Sequence, residues 1–130
     1  MSSEYQQKVQ YCTTESMKDL PFSEAVRVGN MLYFSGQLGI NSSMKLVPGG
    51  IAAETRQAME NIKATLERYG SSLDHVIKVT VMLADISEWG EMNSVYVQFF
   101  SKHLPARSAL GANGLAMGAR VEIECIAVLK

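Results

Sequence analysis

The chain has 130 residues, of which 47% are hydrophobic and 19% are charged, so it can bury one ordinary core but not two. Its formal net charge of −1 argues against a protein whose affinity comes from neutralising many nucleic-acid phosphates. No apolar stretch approaches the ~20 residues of a membrane-spanning helix, and residues 1–8 lack the apolar segment of a secretory signal. We therefore expect a single domain over residues 1–130, located in the cytoplasm and not bound to a membrane.

The N-terminal part of the chain predicts β-structure. Short runs rich in strand-forming residues cover 8–13, 25–28 and 31–35. Gly29 and Asn30 lie between the second and third runs, in the pattern of a tight β-hairpin turn.

A helix is predicted over residues 51–69. Apolar or compatible side chains recur there at steps of four, three, four and three, which places them on one helical face. They are Thr55, Met59, Ile62, Leu66 and Tyr69. Gly70 follows, and a glycine that can take the left-handed conformation is typical of a helix C-terminus.

Residues 75–83 predict a central strand covered on both sides, because both alternating faces carry apolar side chains. One face holds Ile77, Val79, Val81 and Leu83, and the other holds Val76, Lys78, Thr80 and Met82. A second helix follows, with Asp85 or Ser87 as its N-cap, and Pro105 prevents it from continuing. Its predicted buried residues are Met92, Val95, Tyr96, Phe99 and Phe100.

Two more strands are predicted, over residues 107–112 and 120–129, with a bend at Asn113 and Gly114 between them. In the last strand Val121, Ile123, Cys125 and Ala127 alternate with Glu122, Glu124, Ile126 and Val128. The element order β-β-β-α-β-α-β-β predicts an α+β fold with the helices on one face of a sheet. The second, partly apolar face predicts a homo-oligomer, because a small monomer rarely leaves such a face exposed to water.

The cysteines and histidines do not predict a metal site. Cys12, Cys125, His75 and His103 show neither a C-x-x-C nor an H-x-x-x-H spacing. We interpret the two cysteines as small buried apolar side chains in a reducing compartment. The glycine-rich motifs of the usual nucleotide sites are absent from the sequence as well.

Arg107 and Glu122 are the side chains best suited to chemistry. Arg107 begins a strand directly after a rigid turn at Pro105, and a fixed guanidinium pairs with a carboxylate through two parallel hydrogen bonds. Glu122 and Glu124 share one strand face, and a carboxyl group beside an apolar wall can act as a general acid or base. The alternatives are a solvated or structural arginine and a solvated pair of glutamates.

Ser35 and Asn93 have weaker signals. Ser35 ends a strand in the segment F-S-G-Q, residues 34–37, but neither His75 nor His103 is placed in sequence to act as its base. We therefore expect a hydrogen-bonding or strand-end role for Ser35 and a loop position for His103. Asn93 lies in the first turns of the second helix, where capping or local hydrogen bonding is the ordinary role.

Five segments of the chain occur in a characteristic order and spacing. They are P-F-S-E-A-V (21–26), F-S-G-Q (34–37), M-N-S-V-Y with F-F (92–100), P-A-R-S (105–108) and V-E-I-E-C-I-A (121–127). Together they resemble the reactive intermediate deaminases, also named the Rid or YjgF-like family and labelled L-PSP endoribonucleases, and the resemblance covers essentially residues 8–130. The pairing of P-A-R-S with the final E-I-E-x-I-A is the most specific element.

This resemblance implies a chorismate-mutase-like α+β fold with a mixed sheet and two helices on one face. It also implies a homotrimer in which three sheets close into a central β-barrel, with ligand clefts between subunits. Active members hydrolyse enamines and imines, such as 2-aminoacrylate, 2-iminobutanoate and 2-iminopropanoate, to 2-keto acids and ammonia. They use no cofactor and no metal. The implied partners are the small molecule and two further copies of the chain, and the net charge of −1 argues against nucleic acid as a partner.

Carried over to this chain, the resemblance gives Arg107 the substrate carboxylate and Glu122 the attacking water, with Ser35 and Asn93 lining or supporting the cleft. Phe22 stands where many members have tyrosine and keeps an aromatic wall without the hydroxyl. Ala109 stands where some members have cysteine. Two alternatives follow: a trimer that binds 2-keto acids without turnover, for which Phe22 is the supporting feature, and a ribonuclease that lowers translation, as the older label suggests.

Overall fold

The computed structural model describes residues 8–130. Residues 1–7, which make up most of the segment tested for a secretory signal, lie outside the described residues. Three strands open the fold: β1 (Val9–Cys12), β2 (Ala25–Val28) and β3 (Met31–Phe34). They pair in sequence order, and both pairings are antiparallel. Gly29 has a φ of 61° in the β2–β3 turn, which confirms the predicted hairpin.

Both predicted helices are present. Helix α1 (Gly50–Arg68) begins and ends one residue earlier than predicted, and Gly70 follows it with a φ of 85°. Helix α2 (Trp89–Tyr96) is shorter than predicted, because residues 97–99 form a turn of 3₁₀-helix. Asp85 does act as a cap, but for a separate 3₁₀ turn that precedes α2: its side chain accepts a hydrogen bond from the Ser87 backbone at 3.0 Å. In residues 8–130 neither helix is long and apolar enough to cross a membrane.

The remaining strands complete one mixed sheet. They are β4 (Gln37–Leu38), β5 (Val76–Leu83), β6 (Ala106–Gly111) and β7 (Val121–Val128). The strand order is β1-β2-β3-β7-β5-β6, and β4 extends the pairing of β7. Only β5 and β6 are parallel among the described pairs, because α2 connects them as a crossover. The two-residue strand β4 was not predicted.

The prediction for the first residues of β5 was wrong. Ile77 was expected on the same face as the later odd-numbered residues of the strand, and Val76 on the opposite face. Instead, Val76 is buried with those residues, whereas Ile77 is 44% exposed. The register explains the reversal: Val76 pairs with Ala127 and Lys78 pairs with Ile126, which leaves Ile77 as an extra residue in a β-bulge. From Lys78 onward the predicted alternation is confirmed.

The core lies between the two helices and one face of the sheet, which we name the covered face. Alternate residues of β7 point into it and are almost fully buried: Val121, Ile123, Cys125 and Ala127. Cys125 is therefore buried as predicted, but Cys12 is only half-buried, because it ends an edge strand. The prediction that both helices pack on one face is confirmed.

The opposite side, which we name the open face, carries no helix of the described residues. Strand alternation places Glu122, Glu124, Ile126 and Val128 on it. The register adds residues of the strands on both sides of β7: Val26, Val28, Met31, Tyr33, Lys78, Thr80 and Met82. Six of these eleven side chains are aliphatic or thioether groups and one is aromatic. The sheet is thus covered on one side only, and β5 is not covered on two sides within a single chain.

Candidate functional site

Arg107 lies on the covered face at the edge strand β6. It pairs in register with Val79, whose buried side chain points towards the helices. The Arg107 guanidinium therefore reaches α2, where its Nη1 donates a hydrogen bond to Asn93 Oδ1 at 2.6 Å. The Tyr96 ring lies beside it, with 4.8 Å between the Arg107 Cζ and the ring centroid. This arginine is held on two sides by α2 and is not a freely solvated surface group.

A cleft of about 480 Å³ opens beside this guanidinium. It is lined by Asn93, Ser94, Tyr96, Val97, Leu104, Pro105 and Arg107. Mostly apolar walls with one charged group and a few polar groups are typical of sites for small organic molecules. Since the charged group is a cation, the cleft suits a small organic anion.

Tyr96 presents its neutral ring to Arg107. Burial raises the pKa of the Tyr96 phenol to about 12, against an opposing effect of the nearby Arg107 charge. The Tyr96 hydroxyl is buried and has no hydrogen-bond partner among the described residues. At neutral pH the phenol stays protonated, so the contact with Arg107 is a cation–π contact and not an ion pair.

Glu122 lies on the open face, opposite Leu38 of β4 and Met82 of β5. Its carboxylate rests against the Cα of Gly36, because a Cβ at position 36 would overlap a carboxylate oxygen of Glu122. Burial raises the pKa of the half-buried Glu122 carboxyl, and the neighbouring charge of Glu124 raises it further. Glu122 consequently keeps its proton to higher pH than an exposed glutamate and can exchange it in a reaction.

Ser35 is engaged in hydrogen bonds at the strand end. Its Oγ donates to the Ser23 carbonyl oxygen at 2.6 Å, and its backbone N–H donates to the Glu24 carbonyl oxygen at 3.0 Å. Neither described histidine acts as its base: His75 Nδ1 lies 2.7 Å from Ser72 Oγ, and His103 Nε2 lies 2.8 Å from the Asp74 carbonyl oxygen. The predicted strand-end role of Ser35 and the loop position of His103 are confirmed.

Phe22 is 48% exposed, immediately before the anchored start of β2. The anchor is Glu24, whose buried carboxylate accepts hydrogen bonds from Arg68 Nη2 at 2.5 Å and from the Tyr69 hydroxyl at 2.8 Å. This network ties the segment after Phe22 to the end of α1. Phe22 therefore lies on the surface next to a segment that these hydrogen bonds hold in place.

The structure brings together some of the predicted site residues and separates others. Arg107 and Asn93 meet on the covered side, at α2. Glu122 points away from that side, because its neighbours Val121 and Ile123 are buried under the helices. Within one chain, Arg107 and Glu122 therefore lie on opposite faces of the sheet.

Several contact residues of the site were missed by sequence reasoning. Tyr96 was assigned only to the core, and Trp89 and Gly36 received no role in a site. The spacing was a usable signal, because Trp89, Asn93 and Tyr96 stand at i, i+4 and i+7 and share one face of α2. For Gly36 the sequence carried no comparable signal, since the approach of Glu122 depends on the pairing of β4 with β7.

In the described part of the chain, no group of three or more His, Cys, Asp or Glu side chains is arranged to hold a metal ion. The fold and site together define a small α+β domain with an arginine-containing cleft on one side of its sheet. The other side carries a glutamate whose pKa is raised.

Comparison with known proteins identifies the family. Residues 14–129 match the family model described as Endoribonuclease L-PSP, and the chain belongs to this family, which is the predicted Rid/YjgF family. A Bos taurus protein named 2-iminobutanoate/2-iminopropanoate deaminase is 48% identical over 109 residues, which are 83% of this chain and 80% of the relative. Protein HMF1 of Saccharomyces cerevisiae is 41% identical over 116 residues, 89% of this chain and 90% of the relative.

Solved structures agree with the fold. The crystal structure of the yeast protein YEO7 superposes with a TM-score of 0.88 at 39% identity and covers 95% of this chain and 100% of that chain. The crystal structure of the E. coli YjgF gene product gives a TM-score of 0.84 at 32% identity, covering 93% and 99%. The mixed α+β fold predicted from the sequence is confirmed.

Proposed function

We propose that this protein is a hydrolase of reactive imines and enamines. Its proposed substrates are 2-iminobutanoate, 2-iminopropanoate and 2-aminoacrylate, and its products are the 2-keto acids and ammonia, formed without a cofactor. The observation that carries the proposal is the fixed Arg107 in a mostly apolar cleft, where it is the single charged lining group. Relatives at 42–48% identity that bear the name 2-iminobutanoate/2-iminopropanoate deaminase support it.

In this proposal Arg107 binds the substrate carboxylate. A guanidinium has five N–H donors, and the described residues occupy Nη1 through Asn93. The remaining donors can pair with a carboxylate through two parallel hydrogen bonds, and Arg107 loses little entropy on binding because Asn93 and Tyr96 already hold it. Asn93 is therefore proposed to hold Arg107 in this position and to line the cleft beside it.

Glu122 is proposed to handle the water. The imine carbon is electrophilic once its nitrogen is protonated, and a water oxygen that adds to it forms a carbinolamine after losing a proton to Glu122. Glu122 returns this proton to the carbinolamine nitrogen, the C–N bond breaks and ammonia leaves. The C=O bond forms as the hydroxyl group passes its own proton to Glu122, which releases it to solvent and so balances the proton that activated the imine. Acid–base assistance of this kind accelerates reactions by about 10²–10⁴-fold.

The separation of Arg107 and Glu122 supports a site shared between two copies of the chain. We propose a homotrimer in which the three open faces close into a central β-barrel, so that Arg107 of one subunit faces Glu122 of its neighbour across a cleft. Burying the apolar side chains of the open face would provide the driving force for assembly. Ser35 and Phe22 are proposed to line the Glu122 side of the cleft.

Phe22 affects the substrate range in this proposal. It offers an apolar surface without a hydroxyl, so it can pack against a substrate side chain but cannot hold a water or the imine nitrogen. We also propose that the protein works in the cytoplasm, where its two free thiols, Cys12 and Cys125, remain reduced.

A coupled assay tests the function. Threonine dehydratase is run with semicarbazide as a trap for the released imine, and formation of the keto acid is followed with and without the protein. We expect acceleration by the wild type, its loss in Arg107→Ala, and its retention in Arg56→Ala, which changes an exposed arginine of α1. Failure of the wild type to accelerate keto-acid formation, or full activity of Arg107→Ala, would overturn the proposal.

The same preparations separate the two alternatives. Binding of 2-oxobutanoate without acceleration would indicate a 2-keto-acid-binding regulatory trimer. RNA cleavage that survives Arg107→Ala would indicate the ribonuclease activity that the description of the family model suggests.

A further inference from the structure

We propose that Trp89 and Tyr96 are positioning residues that hold the Arg107 guanidinium between aromatic rings of α2. This inference goes beyond the proposed function and depends on it only for the identity of the anion that Arg107 binds. We name the set of Trp89, Asn93 and Tyr96 the α2 clamp.

Three contacts from one helical face converge on Arg107. The Arg107 Cζ lies 5.7 Å from the centroid of the Trp89 ring and 4.8 Å from that of Tyr96. Asn93 lies between these two residues on the same face of α2, and its Oδ1 accepts the hydrogen bond from Arg107 Nη1. Both ring distances lie within the ≈ 6 Å at which a cation is attracted to an aromatic face, and Trp is the strongest such partner.

The clamp leaves a defined part of the guanidinium available. Aromatic rings contact a guanidinium without using its N–H groups, so these contacts restrict its motion but do not compete with a ligand for hydrogen bonds. Asn93 consumes a donor on one side only. The free N–H groups are thereby kept in position for one planar anion, which reduces the entropic cost of binding it.

Trp89 is the part of the clamp that can be changed without damage to the core. It is the first residue of α2 and is 46% exposed, whereas Tyr96 is buried. It is also the single tryptophan of the chain, so its fluorescence reports on the surroundings of Arg107 without interference from another tryptophan. The Tyr96 hydroxyl has no partner among the described residues, so a Tyr96→Phe change keeps the ring and removes nothing that the clamp uses.

The test combines a measurement on the free protein with a measurement of ligand binding. The Arg107 Nε–H signal is assigned by its loss in Arg107→Lys, and its NMR chemical shift and exchange with water are compared in the wild type, Trp89→Ala, Trp89→Phe and Tyr96→Phe. We expect a ring-shifted, slowly exchanging signal in the wild type and in both Phe variants. In Trp89→Ala the signal moves towards the position of a solvated arginine and exchanges faster.

Binding of 2-oxobutanoate is followed by calorimetry, because the Trp89 variants lack the fluorophore. We expect Trp89→Ala to weaken binding about two- to five-fold, the effect of one exposed cation–π contact, with rescue by Trp89→Phe and an unchanged melting temperature. In turnover we expect the loss mainly in KM. Equal Arg107 signals and equal affinities in the wild type and Trp89→Ala would overturn the clamp. If the wild type binds no keto acid and hydrolyses no imine, yet the Arg107 signal still moves and exchanges faster in Trp89→Ala, the result would support the α2 clamp and refute the proposed function.

Discussion

The two faces of strand β7 differ in what their side chains do, although they alternate along eight consecutive residues. On the covered face Val121, Ile123, Cys125 and Ala127 fill the core under the helices. On the open face two glutamates stand beside Ile126 and Val128, where no helix of the described residues packs. The covered face accounts for the stability of one chain, and the open face is where we propose that a second copy completes the chemistry.

Complementation between two inactive variants tests this difference with the largest expected effect. Arg107→Ala and Glu122→Gln are each expected to lose most imine hydrolysis, because each removes one side of the proposed shared cleft. When the two are unfolded together and refolded in equal amounts, about one site in four should combine an intact Arg107 with an intact Glu122, since each site takes its two sides from different subunits. The measurement is the recovery of imine hydrolysis after mixing.

The control for complementation is the double variant Arg107→Ala, Glu122→Gln refolded with the wild type. Here intact sites form only where two wild-type subunits meet, so specific activity falls and no new activity is created. A mixture of the single variants that stays inactive, although mixed oligomers are detected by native mass spectrometry, would contradict a site shared between chains.

Gly36→Ala tests whether the open-face glutamate needs its present position. The added methyl group would overlap the Glu122 carboxylate, which is the free end of a flexible side chain and can turn away. We therefore expect a fall in kcat within the ~10²–10⁴-fold range of acid–base assistance, with little change in the unfolding transition. Gly90→Ala is the matched control, because a Cβ there meets no atom within 4 Å. Gly36→Ala with wild-type kcat would show that the position of Glu122 against Gly36 is unimportant.

Two isoleucines of β7 compare the faces directly. Ile123 is fully buried on the covered face, so Ile123→Ala is expected to lower the free energy of unfolding by about 2–5 kcal/mol. Ile126 is half-buried on the open face, so Ile126→Ala should cost less in unfolding and should weaken self-association instead. Urea denaturation and light scattering over a concentration series measure the two effects. Equal unfolding losses with unchanged molar mass would remove the distinction between the faces.

Local signals in the sequence were sufficient for most elements of the fold. The steps of three and four in α1 and the Gly29–Asn30 turn each specify structure over a few residues, and both were predicted. The errors arose where distant strands decide the outcome. Ile77 is displaced by a bulge that depends on its pairing with β7, and β4 exists only because two residues also pair with β7.

The candidate site shows the same difference between contacts that local signals indicate and contacts that depend on distant strands. The contact between Arg107 and Asn93 could be predicted, because the resemblance assigned both residues to one cleft and the structure joins them. The contact of Glu122 with Gly36 and the separation of Arg107 from Glu122 could not be predicted, since both depend on sheet register. A sequence places a charged residue on one side of its own strand, but which helix or turn meets it there is set by residues far along the chain.

The smallest expected effect concerns the two glutamates of the open face. Burial raises the pKa of Glu122 and the Glu124 charge adds to this, so Glu124→Gln should lower the Glu122 pKa. If the ionised carboxylate accepts a proton from water, the acidic limb of the kcat/KM profile then moves to lower pH, and the difference from wild type shrinks in high salt because Glu124 is exposed.

The pH dependence of stability changes in the matching sense. A carboxyl whose pKa is raised by folding stabilises the native state below its unfolded pKa and loses that contribution as pH rises through its folded pKa, so Glu124→Gln should reduce the loss. Glu91→Gln, at an exposed position of α2, is the control that should leave both profiles in place. An acidic limb that stays fixed in Glu124→Gln but disappears in Glu122→Gln would mean that burial alone perturbs Glu122.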